Sequence, residues 1–376
     1  MKNQLLGLLF LGFIACDENR KEEAADQATF IVTVMDTLVI DPGNEILYLQ
    51  YYLIQSQTDP DSRYLYNYNR GDNALEVIDL DSLRLDKKIR FDKEGPNGTG
   101  GYIQHVHYNG GNKILLAEFH QISLFNTKAE KVFQLNIVGQ KFEGDTLNEN
   151  ESLVTGGLLD EEENYCITTY EQGFGVPLGI AKVHIQDKTL KKIPIPGLKD
   201  LAKFRVSFSD GQSKSASYPG VNLQLLNGKV LVSNSAVNEL YTYDVRTDSL
   251  VHYLFKSRIM ADRQKENPRT RVHSQEELNQ VARERAKDVS FNRFVYDIQN
   301  KRYYRFSQKF EKETPEENIF SPVLTVFDDS LNQIFETDKL PIEKTFWKYF
   351  VKDGKLYLYE NIEDEMGFIV LEIEKI

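Results

Sequence analysis

The chain has 376 residues, with 45 Lys or Arg against 57 Asp or Glu, and a formal net charge of −12. This acidic balance excludes a general nucleic-acid binder, because such proteins present a basic surface to the phosphate backbone. The 20 Tyr and 22 Phe beside a single Trp favour β-sheet, since aromatic side chains pack well on a pleated surface.

Residues 1–15 have the pattern of a secretory signal peptide, with Lys2 ahead of an apolar run from Leu5 to Ala15. The run is shorter than the roughly 20 apolar residues that span a bilayer. The next residue is Cys16, and Phe13-Ile14-Ala15-Cys16 resembles the lipobox of bacterial lipoproteins, whose cysteine carries a diacylglycerol. The sequence therefore predicts a lipid anchor on Cys16; the alternative is a secreted protein with an incidental cysteine.

Residues 16–28 are charged and polar and lack aromatic side chains, which predicts a flexible tether. Their acidic cluster resembles the surface-export signal of Bacteroidetes lipoproteins. We expect an outer-membrane lipoprotein of a bacterial cell envelope, with the surface and periplasmic faces both left open. With Cys16 lipidated, Cys166 has no disulfide partner, and its strand-like surroundings predict a buried thiol.

Residues 29–376 contain repeated pairs of hairpins, each with alternating apolar residues around Asn, Asp, Ser or Gly. Asn-Gly and Asp-Gly between such strands are the strongest short hairpin signals. Six modules of two hairpins predict an all-β fold, a six-bladed β-propeller with four-stranded antiparallel blades. The region from Leu158 to Ile195 is the least regular, so seven blades or an incomplete ring are alternatives.

The last module supplies only three strands, whereas Phe30 to Ile40 is β-rich and has no repeat of its own. We therefore predict that this N-terminal strand closes the last blade.

One segment, at about residues 257–290, interrupts the pattern between blades 4 and 5. Ser274 and Glu277 form a capping box, and Leu278 and Val281 mark the apolar face of a helix. This helical insertion is either a lid over one mouth of the ring or a solvated decoration.

The stretch FDKEGPNGTGGYIQHVHY, Phe91 to Tyr108, raises the question of a phosphate-binding loop. Neither GxxxxGK[ST] nor GxGxxG fits it, and no helix follows to face an anion. We interpret it as a loop that crosses between blades.

The GPNGxGG loop before an inner strand, together with the lipobox and the module layout, resembles six-bladed propeller lipoproteins of Bacteroidetes. These form a domain family of unknown function, loosely related to TolB-like and NHL-type propellers. The resemblance covers about Phe30 to Ile376 and implies envelope anchoring and a binding or scaffold role. It supplies no catalytic motif.

His105 and His107 lie two residues apart and therefore project from one face of a strand. A zinc site needs a third ligand, and no HExxH motif or Cys/His cluster accompanies them. The sequence predicts no metal, cofactor or catalytic residue, and two ordinary strand histidines are the simpler interpretation.

The first hairpins of four modules can be aligned on the lysine that opens the second strand: Lys113, Lys229, Lys301 and Lys355. Eight residues upstream lie His105, Arg293 and Trp347, and in the fourth module Val221 with Asn222 beside it. We expect His105, His107, Asn222, Arg293 and Trp347 at one mouth of the channel, where they either hold a sugar or acidic group or simply fill the channel.

The resulting hypothesis is a non-enzymatic, lipid-anchored binding or scaffold protein of the cell envelope, for a protein or glycan partner. The alternative is a polysaccharide lyase or hydrolase that uses His105 and Arg293 at the channel mouth. A third reading is a structural subunit of a larger envelope complex.

Overall fold

The computed structural model describes residues 29–137, 140–173, 175–209 and 214–376. The predicted signal peptide, Cys16 and the tether lie outside the described residues. The described chain is all-β, as predicted, and its strands form seven sheets. We number six of them in chain order as sheets 1–6 and call the seventh the accessory sheet.

Five sheets have four antiparallel strands. Sheet 1 comprises Ser56–Thr58, Tyr64–Asn69, Ala74–Asp79 and Arg84–Arg90; sheet 2 comprises His105–His107, Lys113–Ala117, Gln121–Asn126 and Lys131–Asn136. Sheet 4 comprises Val221–Leu226, Lys229–Asn234, Glu239–Asp244 and Ser249–Leu254; sheet 5 comprises Ser290–Asp297, Arg302–Glu313, Asn318–Asp328 and Gln333–Thr337. Sheet 6 comprises Tyr349–Lys352, Lys355–Ile362, Glu365–Lys375 and, from the other end of the chain, Phe30–Val39.

Sheet 3 is the irregular one, as its sequence indicates. It comprises Glu143–Gly144, Glu151–Leu153, Leu158–Leu159, Tyr165–Gln172, Val176–His184 and Thr189–Pro194. Glu151–Leu153 and Leu158–Leu159 both pair with Tyr165–Gln172, so they are two parts of one inner strand interrupted around Gly156 and Gly157.

The tight hairpins follow from turn chemistry. Asn227 and Gly228 have φ of 49° and 71°, and Asp353 and Gly354 have φ of 50° and 72°. A two-residue turn with both φ values positive matches the right-handed twist of the flanking strands, and Asn-Gly and Asp-Gly adopt it most readily.

Five hydrophobic clusters fill the spaces between consecutive sheets, from sheets 1 and 2 through to sheets 5 and 6. The sixth cluster packs Phe368 and Tyr357 of sheet 6 against Leu65 and Ile78 of sheet 1. The order of packing therefore returns to its starting point, and the arrangement is β-propeller-like. Cys166 lies buried in the cluster between sheets 2 and 3, which confirms its predicted role.

The N-terminal strand pairs antiparallel with the last strand, from Phe30 opposite Lys375 to Val39 opposite Gly367. This confirms the predicted pairing. Phe30 belongs to the cluster between sheets 5 and 6, whereas Leu38 packs against the cluster between sheets 6 and 1, which also includes Ile40 just beyond the strand. The strand therefore contributes to the core on both sides of sheet 6.

The accessory sheet joins two connections that are distant in sequence. Val206–Ser209 pairs with Lys214–Ser217 and, in parallel, with Arg271–Val272. The predicted helix is present at Gln275–Arg285; the Ser274 hydroxyl caps it by accepting from the Glu277 amide. Its Leu278 and Val281 pack against the accessory sheet.

Two 3₁₀ segments, Gln50–Leu53 and Pro196–Phe204, complete the secondary structure. No helix in the described ranges has the length and apolar character needed to cross a membrane.

Replacing Phe30 by Ala should lower the free energy of unfolding by about 3 kcal/mol, because it removes a large buried side chain. The Phe30 ring lies 5.1 Å from Phe335 and carries the Arg302 guanidinium 4.9 Å above it. Ile31→Ala is the matched control, since Ile31 is 51% exposed on the same strand. Urea unfolding of both variants measures the difference; equal losses would contradict the role given to the closing strand.

Candidate functional site

The inner strands are Ser56–Thr58, His105–His107, the interrupted strand Glu151–Leu153 and Leu158–Leu159, Val221–Leu226, Ser290–Asp297 and Tyr349–Lys352. Each of them lies beside the inner strand of the next sheet. In sheets 1 and 4 a glutamine makes this contact in the same way. Gln57 donates to the Val106 carbonyl at 3.3 Å and accepts from the Tyr108 amide at 3.2 Å. Gln224 donates to the Phe294 carbonyl at 2.7 Å and accepts from the amide of the same residue at 3.0 Å.

Other polar side chains bridge the remaining inner strands. His105 bonds the Gly157 carbonyl at 2.7 Å, Asn292 donates to the Phe346 carbonyl at 3.2 Å, and Lys348 donates to the Ser56 carbonyl at 2.7 Å. Between sheets 3 and 4 the contact is apolar, through Leu158 and the strand Val221–Leu226. Neighbouring inner strands therefore contact one another, and polar side chains connect most of these pairs.

The His105 side chain links sheet 2 to sheet 3 through its hydrogen bond to the Gly157 carbonyl. A carbonyl can only accept, so the bonded Nε2 of His105 carries the proton. The pKa of His105 is lowered to about 4, mainly by burial and to a smaller extent by the charge of Arg293, against the opposite effect of the hydrogen bond to Gly157. The close approach depends on Gly156 and Gly157, since a Cβ at Gly156 would come within 3.3 Å of the imidazole. At neutral pH His105 is an uncharged, hydrogen-bonded side chain.

His107 is buried on the same strand, and among the described residues its Nε2 has no hydrogen-bond partner. Burial lowers the pKa of His107 to about 3, with a smaller effect from His105. Within the described residues, no three His, Cys, Asp or Glu side chains form a group suited to a metal ion.

Arg293 lies at the start of the sheet 5 inner strand, and its Nε donates to Asn222 Oδ1 at 3.1 Å. The Tyr349 hydroxyl donates to the Arg293 carbonyl and accepts from the Phe306 amide at 3.2 Å, which fixes the backbone there. The side chain is open to solvent, yet the surrounding protein removes enough bulk water to lower the pKa of Arg293. That combination describes a group inside a water-accessible recess.

Lys348 is the central residue that the sequence did not single out. Besides its bond to Ser56, it lies close enough to Arg293 to sense its charge. Burial lowers the pKa of Lys348 to about 7, and the positive charge of Arg293 adds to the effect.

Counting eight residues upstream of Lys355 gives Trp347, whereas strand pairing gives Lys348 as the residue equivalent to His105 and Asn222. His105 pairs with Ala117, four residues after Lys113, and Asn222 pairs with Ser233, four residues after Lys229. The corresponding residue of sheet 6, Tyr359, donates its amide to the Lys348 carbonyl. The first hairpin of sheet 2 turns through Gly110, Gly111 and Asn112, whereas that of sheet 6 needs only Asp353 and Gly354. Trp347 is 51% exposed beside Lys348.

The glycine-rich connection binds a carboxylate of the protein itself. The Gly101 amide donates to Glu118 Oε2 at 3.0 Å, and a Cβ at Gly100 would lie 2.3 Å from the same carboxylate. Gly100 also has a φ of 84°, which glycine adopts without strain. The connection joins sheet 1 to sheet 2, as its sequence indicates, and Glu118 occupies the amide that a phosphate would need.

Exposed aromatic side chains form a second feature. Six of them occur among the described residues: Tyr51, Tyr52, Tyr102, Phe119, Tyr218 and Trp347. Five lie in connections that lead from an outer strand to the next inner strand, and Phe119 lies in the turn between the second and third strands of sheet 2. In an antiparallel sheet these connections and turns are at the same end, which we call the connector end.

Arg70 contacts Tyr51 and Tyr102, which lie in the connections before and after sheet 1. Its guanidinium carbon lies 5.1 Å from the Tyr51 ring and 4.4 Å from the Tyr102 ring, and it also donates to the Tyr102 hydroxyl. Tyr51, Tyr52 and Leu53 have φ values of 57°, 53° and 53°, an uncommon left-handed conformation for residues other than glycine. Such strained backbone concentrates at functional sites.

The cyclic packing of antiparallel sheets around polar inner strands defines a β-propeller-like protein. Residues 28–338 match the family described as a domain of unknown function, DUF4221. The chain therefore belongs to the DUF4221 family, which confirms the resemblance to a propeller family of unknown function.

Two of the similar solved structures come from Bacteroides. A DUF4221 family member from Bacteroides vulgatus is 17% identical, with a TM-score of 0.65 over 93% of this chain and 100% of that one. A putative exported protein from Bacteroides fragilis is 9% identical, with a TM-score of 0.53 over 92% of this chain and 96% of that one. At these identities the likeness concerns the fold. No curated protein matches the sequence.

His107 should make the fold sensitive to mild acid. Its pKa falls from the usual value to about 3 in the folded state, so between pH 6.5 and pH 3 the unfolded chain binds a proton that the folded chain does not. Stability is complete above pH 6.5 and decreases as the pH falls. Between pH 7.5 and 5 the loss is about 2 kcal/mol for this histidine.

The measurement is urea unfolding of the wild type and His107→Leu at both pH values. The variant should lose less stability on acidification by about that amount. His120→Leu is the control, because His120 is exposed and should keep the wild-type profile. Parallel profiles for wild type and His107→Leu would contradict the assignment.

Proposed function

We propose that this protein is a non-enzymatic binding protein of the bacterial cell envelope, built as a six-bladed β-propeller, which receives a glycan at its connector end. The observation that carries the proposal is the placement of all six exposed aromatic side chains of the described residues at the connector ends of their sheets.

The six-bladed ring is supported by two independent sets of contacts. Hydrophobic clusters link each of the six sheets to the next, and the inner strands contact one another in the same order. In such a ring the inner strands run in one direction, so the connector ends of all blades form one face. We call it the connector face. The accessory sheet and the helix Gln275–Arg285 belong to it, since both come from connections between blades.

A glycan is the occupant that this face suits best. Pyranose rings present C–H groups that pack on aromatic faces, while their hydroxyls stay hydrated or bond to polar side chains. The exposed rings are spread over several connections and are interleaved with polar groups such as Arg70 and Gln55. A protein partner would more often need a contiguous apolar patch.

Envelope anchoring is supported by the lipobox-like sequence at Cys16 and by the charged segment that follows it. The similar protein from Bacteroides fragilis is described as a putative exported protein. The proposal therefore includes an outer-membrane lipoprotein with its lipid on Cys16.

The binding role is preferred over a lyase or hydrolase because of the state of the central histidines. The Nε2 of His105 is committed to the Gly157 carbonyl, and His107 is buried. Both have a pKa well below neutrality, so neither is poised for proton transfer near pH 7.

The proposal is tested on a microarray of bacterial and host glycans. The wild type should bind a subset of them, and the Tyr51→Ala/Tyr102→Ala double variant should bind at least about tenfold less, because the loss of a stacking contact costs more than 1 kcal/mol. Ile298→Ala is the matched control: Ile298 is 65% exposed in the first hairpin turn of sheet 5, at the other end of the blade.

The control should bind like the wild type, and urea midpoints show that all variants fold. Absence of binding to every glycan, or an equal loss in the control, would overturn the proposal. Release of reducing ends from a bound glycan would favour the enzyme instead.

A further inference from the structure

The centre of the inner strands carries two basic groups and lacks a matching acid. In the described part of the chain, neither Arg293 nor Lys348 forms an ion pair. Arg293 uses its Nε for Asn222, which leaves the two terminal nitrogens of the guanidinium without a protein acceptor among those residues. Lys348 uses one of its three N–H groups for Ser56.

This arrangement is unusual for a protein with a net charge of −12. In the inner strands of sheets 1, 2, 4, 5 and 6 the acidic residue is Asp297, which lies at the hairpin end. There it accepts from the amides of Gln299 and Asn300. On the inner strand of sheet 3, Glu151 is paired with Lys192. The positive charge of Arg293 and Lys348 therefore has no acidic counterpart on these strands.

We propose that Arg293 and Lys348 form a binding site for a single carboxylate group carried by an acidic sugar of the ligand. The inference rests on the proposed glycan-binding function and adds the chemistry of one subsite. A guanidinium with two free N–H groups matches the two oxygens of a carboxylate, and the ammonium of Lys348 supplies a second charge. Trp347, exposed next to Lys348, offers an aromatic face to the sugar ring.

In the protein without ligand, this site is electrostatically unfavourable. Burial, and to a smaller extent the nearby positive charge of Arg293, lower the pKa of Lys348 to about 7. The groups around Lys348 are the Ser56 carbonyl from sheet 1, Arg293 from sheet 5 and Tyr349 on its own strand, with His105 close to Arg293. A bound carboxylate would neutralise the repulsion and raise the pKa of Lys348.

The rise in the pKa of Lys348 on binding determines how the affinity depends on pH. Binding takes up protons above pH 7, so affinity for an acidic sugar should decrease as the pH rises from 6.5 to 8.5, by up to about tenfold per pH unit. His105 stays neutral across this range, because its pKa of about 4 lies well below it.

The experiment is calorimetric titration with trigalacturonate and with its neutral methyl ester, at pH 6.5 and 8.5. The acid should bind at least about tenfold more tightly than the ester, because a charge-assisted bidentate pair is lost in the ester. Arg293→Gln should remove this difference, and Lys348→Met should remove the pH dependence. Arg63→Gln is the control, since Arg63 is exposed near the first hairpin of sheet 1 and should behave like the wild type.

A measurement without ligand keeps the inference testable if a variant is destabilised. The pKa of Lys348, followed by NMR of its labelled side chain, should rise in Arg293→Gln, because the repulsion from Arg293 is removed while the burial of Lys348 remains. Addition of trigalacturonate to the wild type should raise it as well. An unchanged pKa in both cases would overturn the inference.

The failures of the two proposals are distinguishable. Equal binding of acid and ester that still depends on Tyr51 and Tyr102 would overturn the carboxylate site and leave the glycan function standing. Binding of a peptide with a free C-terminal carboxylate, but not of its amide or of trigalacturonate, would overturn the assignment to a sugar.

Discussion

The pairing of Phe30–Val39 with Glu365–Lys375 is the constraint on which the remaining structure depends. Without it sheet 6 would have only three strands, and the hydrophobic clusters on both of its sides would lose residues from the same segment. The inner strands would also lose their fixed spacing, because Lys348 reaches Ser56 only when sheet 6 is packed against sheet 1. A contact between the two ends of the chain thus positions the residues at the centre.

The sequence predicted the parts of the fold that rest on local chemistry. Alternating apolar residues around Asn227-Gly228 and Asp353-Gly354 indicate hairpins because few other residues adopt those dihedral angles. The helix at Gln275–Arg285 was predictable from its cap, because the Ser274 side chain accepts from an amide that has no partner within the helix. The accessory sheet was not, since Ser207 and Phe208 pair with Arg271 and Val272 across a long stretch of chain. Such a short non-local pairing leaves no periodic pattern.

The candidate site was predicted in part. Residue counting found Arg293 and His105, but it treated hairpins of unequal turn length as equal and so reached Trp347 where strand pairing gives Lys348. Sequence also could not reveal that the polar residues of the inner strands divide into two groups. Gln57, Gln224 and His105 have their hydrogen bonds satisfied by neighbouring backbone. Arg293 retains N–H donors that no described residue uses. These unused donors make Arg293 a candidate ligand contact, whereas Gln57, Gln224 and His105 have a structural role.

The direction of the N-terminal strand has a consequence for how the protein would be presented. Phe30 lies at the end of sheet 6 where Ile376 also finishes, and the Ile376 amide bonds the Thr29 carbonyl at 2.8 Å. The strand then runs toward the connector end, which it reaches at Val39. Thr29, the first described residue, consequently lies on the outer strand of sheet 6, at the end opposite the connector end. A surface that holds the protein through the residues before Thr29 would leave the tyrosines and the basic centre pointing outward, toward whatever approaches from the medium.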